Sequence, residues 1–95
     1  MAVAVKVAFR GGTLDQYDSV VRAIGYARGG PGAQGSLFHF VTKTDDGFLV
    51  TDVWESRERF EGFAREQILP RVAAFGLSEQ PHIEIVDVHN YFTAG

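Results

Sequence analysis

Residues 37–54 read Leu37-Phe38-His39-Phe40-Val41-Thr42-Lys43, then Thr44-Asp45-Asp46-Gly47, then Phe48-Leu49-Val50-Thr51-Asp52-Val53-Trp54. Two runs rich in β-branched and aromatic residues flank a polar tetrad that ends in Asp-Gly, the signature of a β-hairpin. The strands are read over 37–42 and 48–54. Successive side chains of a strand point to opposite faces, so an even-numbered turn places His39, Asp52 and Trp54 on one face. A two-residue loop through Asp46-Gly47 sets His39 opposite Trp54 and Val41 opposite Asp52; a four-residue loop sets His39 opposite Asp52. The other face holds Phe38, Phe40, Leu49 and Val53, an apolar set suited to helices. The sequence therefore predicts that the helices cover the Phe38 face and that His39 looks away from them.

A carboxylate beside an imidazole fixes its tautomer and stabilises its protonated form, as a general base or proton shuttle requires. His39 and Asp52 are thus the catalytic candidates. The competing reading makes His39 a hydrogen-bonded polar group at an interface and Trp54 simple packing.

Outward from the hairpin, Val3, Val5, Val7 and Phe9 alternate with Ala2, Ala4, Lys6 and Ala8, a strand with a mostly small and apolar second face. Thr13 and Gln16 form a T-x-x-Q capping box. Leu14, Tyr17, Val20, Val21 and Ile24 then recur at helical spacing, and Gly25 stops the helix. Gly25, Gly29, Gly30, Gly32 and Gly35, with Pro31, make the next connection a loop, long enough to act as a lid. Ser56 caps a second helix, with Glu58 in its first turn. Its buried stripe is Phe60, Phe63 and Ala64, continued by Gln67 and Ile68. Pro70 predicts a kink, or an end and restart with Pro70 at the first position of a short helix to Phe75, closed by Gly76. Ile83, Ile85, Asp87, His89 and Tyr91 alternate with their neighbours as a fourth strand, and His82 is read as a solvated loop residue.

The order is βαββαβ, a ferredoxin-like α+β fold: a four-stranded antiparallel sheet with two helices on one face, one domain over residues 1–95. Apolar side chains on both faces of the strands predict a second copy packed sheet to sheet, a homodimer. Composition narrows the rest. There is no cysteine, which excludes disulfides and thiolate metal sites. A net charge of −3 with nine scattered basic residues excludes the basic stripe of a nucleic-acid binder. The N-terminal strand carries Lys6 in its middle and is not a signal peptide, and no run is long enough to span a membrane, so a cytoplasmic location is expected. Three histidines on separate elements make no metal site. Tyr17, Tyr26 and Tyr91 are read as packing aromatics.

Val53-Trp54-Glu55-Ser56, followed by Glu58, Phe60 and Phe63, resembles the antibiotic biosynthesis monooxygenase family of the dimeric α+β barrel superfamily, in which a strand ending in a W-x-S-type motif runs into the second helix. The closing Val88-His89-Asn90-Tyr91-Phe92 looks like small functionally unassigned actinobacterial proteins of the same superfamily. The resemblance implies a homodimer whose sheets form a barrel, with a pocket between sheet and helices in each subunit. Its members include cofactor-independent oxygenases acting on aromatic polyketides, haem-degrading enzymes, isomerases and proteins with no known activity. Haem-degrading members use a histidine of the second helix as iron ligand, and 63–70 has none, so no cofactor is expected.

The reading is a cofactor-independent, monooxygenase-like enzyme on a small aromatic ligand. His39 and Asp52 would move the proton, and Trp54, Phe63, His89 and Tyr91 would hold the substrate. The alternatives are a non-catalytic ligand-binding dimer and a structural dimer without a pocket.

Overall fold

A computed structural model describes residues 1–27, 29–74 and 80–93. Four strands, β1 (Val3–Arg10), β2 (Ser36–Thr44), β3 (Gly47–Trp54) and β4 (His82–Asp87), form one sheet in the order β2-β3-β1-β4. All neighbours are antiparallel. The ferredoxin-like arrangement expected from the βαββαβ order is the one observed.

The helix α1 (Leu14–Ile24) starts where the capping box places it. Thr13 Oγ1 accepts from the Gln16 backbone N–H, and Gln16 Oε1 accepts from that of Thr13. Gly25 ends it in the left-handed region at φ 100°, where a side chain would be strained. Ser56 caps α2 (Arg57–Phe63) through the Arg59 N–H.

The expected restart at Pro70 is seen one residue early, after a widened turn that keeps the second helical arm continuous. A π turn (Ala64–Ile68) follows α2, and α3 (Leu69–Ala74) continues from it with Pro70 at its second residue. The Leu69 N–H bonds the Ala64 carbonyl five residues back. The wider turn relieves the clash of a proline ring with the preceding carbonyls and absorbs the missing donor. The expected ending at Phe75 and Gly76 lies outside the described residues.

The core is Val3, Val5, Val7, Phe48, Val50, Trp54, Phe60 and Ala64, with Tyr17, Val41, Phe63 and Ile85 packed against it. These residues lie on the helix side of the sheet. Burying each of the large ones contributes about 1.5–3 kcal/mol. Val5 pairs with Asp52 and Val3 with Trp54, so His39, Asp52 and Trp54 share that side. This reverses the expected assignment of faces. Phe38, Phe40 and Val86 stand on the open face, exposed by 56%, 44% and 62%. Among the described residues, no helix is long and apolar enough to cross a membrane.

Candidate active site

The hairpin takes the register that sets His39 opposite Asp52, with Thr44 opposite Gly47. Gly47, the first residue of β3, is not there to supply the left-handed conformation of a tight turn. Its φ is not positive; instead a Cβ at position 47 would overlap the Phe9 carbonyl oxygen of β1. Close approach of β1 to β3 thus fixes the hairpin against the central strand.

In that register His39 Nδ1 lies 2.5 Å from Asp52 Oδ1, and Trp54 Nε1 lies 3.1 Å from Asp52 Oδ2. An ionised carboxylate only accepts, so both nitrogens donate to it. The indole holds the carboxylate, and in the neutral form of the imidazole the carboxylate fixes the proton on Nδ1. Nε2 is then an acceptor, and the Tyr17 hydroxyl donates to it at 2.5 Å. Tyr17 comes from α1 and lies nearly parallel to the His39 ring, with centroids 6.0 Å apart. The Phe48 ring meets Tyr17 edge-on at 5.7 Å.

The result is a directional chain: Tyr17 O–H to His39, His39 N–H to Asp52, with Trp54 N–H on the far carboxylate oxygen. Asp52 is buried, yet among the described residues no buried side-chain polar atom lacks a partner. A polar network can occupy a core only when it is satisfied in this way. Burial pushes the Tyr17 hydroxyl above its ordinary value of 10.0, helped by the charge of Asp52 and then of Asp18. Tyr17 is therefore a neutral phenol at any physiological pH.

The chain borders a cavity of about 1080 Å³ between the sheet, α1, the glycine-rich loop and the second helical arm. No residue of α1 is fully buried, because the helix roofs this space rather than closing onto the sheet. Val7, Val41, Phe48, Val50, Phe60 and Phe63 make much of the wall apolar. Trp54 meets Phe60 and Phe63 at 5.9 and 5.3 Å between centroids, which stiffens the floor.

Of the candidate site residues, His39, Asp52, Trp54 and Phe63 all line this cavity. His89 and Tyr91 do not, since β4 ends at Asp87. Asp87 pairs with Val3 and Val88 bonds the Ala2 carbonyl, so β1 has run out and no partner strand remains for His89. His82 is the exposed first residue of β4 rather than a loop residue. Tyr17 was missed. Its place on the apolar stripe of α1 is the signal that finds it once the faces are correctly assigned. Among the described residues, no three potential metal ligands cluster.

Neither a protein-family model nor a curated protein sequence matches the chain. Solved structures do. A protein of unknown function from Nitrosomonas europaea, NE2512, superposes with a TM-score of 0.74 at 21% identity, over 99% of this chain and 95% of that one. SnoaB, a cofactor-independent oxygenase from Streptomyces nogalater, superposes with a TM-score of 0.59 at 16% identity, over 98% and 97% of the two chains. A Deinococcus radiodurans protein provisionally described as an antibiotic biosynthesis monooxygenase gives 0.59 at 16% identity, over 100% and 99%. The chain therefore has the ferredoxin-like fold of the antibiotic biosynthesis monooxygenase-like proteins, the fold its W-x-S segment implied.

Proposed function

We propose that the protein is a homodimeric, cofactor-independent monooxygenase-like enzyme that binds a small aromatic, polyketide-like substrate and begins its reaction by removing a proton from it. The observation that carries this reading is the Tyr17–His39–Asp52–Trp54 chain at the wall of an apolar cavity. Fused rings fit such walls, and the polar groups converge on one place in them. The likeness to SnoaB supports oxygenase chemistry on this fold, although a shared fold hosts many reactions.

In the proposed step a ligand donates an acidic proton to the Tyr17 oxygen while the Tyr17 proton moves to His39 Nε2. The imidazolium is then balanced by Asp52. The electron-rich anion left behind reduces dioxygen. For an activated methylene between aromatic rings, the two hydrogens leave, one oxygen atom becomes the carbonyl and the other departs as water. Trp54 keeps the carboxylate in place, and Phe60 and Phe63 hold the rings. The exposed Phe38–Phe40 face supports the dimer, since a second copy would cover it.

A second reading is a ligand-binding dimer without turnover. It is favoured by the Tyr17 hydroxyl, which occupies the one acceptor of His39. The test is aerobic incubation with the anthrone dithranol, following oxygen uptake and quinone absorbance. The enzyme reading expects turnover above buffer, reduced in His39→Ala by about 10²–10⁴, the usual weight of a general base. Binding without turnover supports the second reading, and a rate indifferent to His39 sinks the first.

A further inference from the structure

Arg71 lies on α3, half-buried, and is among the residues that line the same cavity. Its Nη1 donates to the Gln67 carbonyl at 2.9 Å and to Gln67 Oε1 at 3.1 Å. Both contacts come from the π turn, so the widened segment and Pro70 build a platform that holds one corner of the guanidinium. The other edge, Nε and Nη2, has no partner among the described residues. The ion pairs there join Arg10 to Asp46, Arg59 to Glu55 and His39 to Asp52, and none involves Arg71. Among the described residues, the remaining charged groups of the cavity are Asp18 and Arg22 on α1, and Arg22 donates to Ser19.

A half-buried cation with no counter-ion among the described residues is costly unless an anion meets it. The Nε–Nη2 edge is a planar two-donor fork, which matches a carboxylate better than it matches a single oxygen. Holding Nη1 in advance reduces the rotamer entropy lost when the fork closes on a ligand.

We propose that Arg71 anchors the carboxylate of the ligand, so that the cavity selects an aromatic hydroxy acid with its carboxylate on α3 and its acidic proton at Tyr17. This rests on the reading of the cavity as an aromatic-ligand site and adds the class of ligand. One helical arm then recognises the anion and the other performs the proton transfer.

The test is titration of the purified protein with 6-hydroxy-2-naphthoic acid and with its methyl ester, followed by calorimetry. The acid is expected to bind about tenfold more tightly than the ester, the weight of one charge-assisted pair. Arg71→Gln should bring the acid down to the affinity of the ester and leave the ester unchanged. Arg71→Lys should keep part of the preference, because it retains charge without the fork. Thermal melts of both variants check that they fold. Equal binding of acid and ester by the native protein, or an acid preference that survives Arg71→Gln in a folded variant, overturns the assignment of Arg71 alone. Binding of neither probe overturns the aromatic-site reading and this inference with it.

Discussion

Asp52 is the residue on which the site and the core depend together, and its removal separates the two roles. In Asp52→Ala, the indole N–H of Trp54 and the Nδ1–H of His39 lose their acceptor. Trp54 is only 2% exposed, so its indole N–H depends on that carboxylate for its hydrogen bond. A hydrogen bond to a charged group contributes about 1.5–3 kcal/mol, and two are lost. Part of that is offset because a buried charge no longer has to be desolvated. The expected net loss is about 2–3 kcal/mol, or about 10–20 °C in Tm for a chain of this size. Asp52→Asn should cost less, about 1 kcal/mol, since its Oδ1 still accepts from Trp54. Its amide, however, offers an N–H to His39 Nδ1. The imidazole must then carry its proton on Nε2, and the Tyr17 hydroxyl can no longer donate to it. Urea unfolding at one fixed protein concentration measures the first effect, because the stability of the proposed dimer would vary with concentration. Nitrogen chemical shifts of the His39 ring measure the second. An Asp52→Ala protein as stable as the native one would refute the claim that the carboxylate is a satisfied core acceptor. An Asp52→Asn protein that keeps the Nδ1-protonated tautomer would refute the direction of the chain.

Other outcomes follow from single observations. The raised Tyr17 hydroxyl ionises later in the folded than in the unfolded chain, so its contribution to stability is complete below the unfolded value of 10.0 and is lost as pH rises through the folded one. Tyr17→Phe should therefore remove part of the alkaline destabilisation, read from unfolding curves on either side of pH 10; an identical alkaline slope in the variant counts against it. Gly47→Ala should cost several kcal/mol, about 3 by analogy with other strained core changes, because the methyl meets the Phe9 carbonyl. A melting temperature unchanged in that variant would show that β1 is not so close to the turn. Phe38→Glu combined with Val86→Glu should give a folded monomer by light scattering, since both residues stand on the open face. A dimer that survives both charges would place the interface elsewhere.

The period-two strands, the capping box at Thr13 and Gln16, and the stop at Gly25 were legible because each is local: one residue and its near neighbours decide it. Parity was equally local, which is why His39, Asp52 and Trp54 could be put on one face. Which face lay under the helices was not local. Polarity suggested the Phe38 side, since an all-apolar set normally marks the covered face. The deciding fact is the register of β1 on β3, which puts Val3, Val5 and Val7 beside Trp54, Asp52 and Val50. The bulky side of the central strand marks the core, and the polar trio can share it because each member satisfies the next. Tyr17 was hidden by the same reversal. His89 and Tyr91 continued an alternation past the point where β1 could pair with it, a limit set by strand length rather than by residue type.

The cavity itself needs a physical account in so small a domain. A dry void costs about 24 cal/mol per Å³. Over about 1080 Å³ that is roughly 25 kcal/mol, more than the 5–15 kcal/mol by which a whole domain is stable. The space must therefore be continuous with solvent and filled by it when no ligand is bound, which agrees with the absence of any fully buried residue on α1. Residues that would have closed the helix onto the sheet are replaced by groups that tolerate water: the His39 imidazole, two-fifths exposed, the Tyr17 hydroxyl and the Arg71 guanidinium. A ligand with apolar rings releases the water from the valine and phenylalanine walls and gains about 25 cal/mol for each Å² it covers. His39 already has both ring nitrogens engaged, but the same ligand leaves the acceptor side of the Tyr17 oxygen and the Nε–Nη2 edge of Arg71 unsatisfied unless it carries a partner for each. The cost of leaving them bare, about 1–3 kcal/mol apiece, then sets the selectivity among rings of equal size.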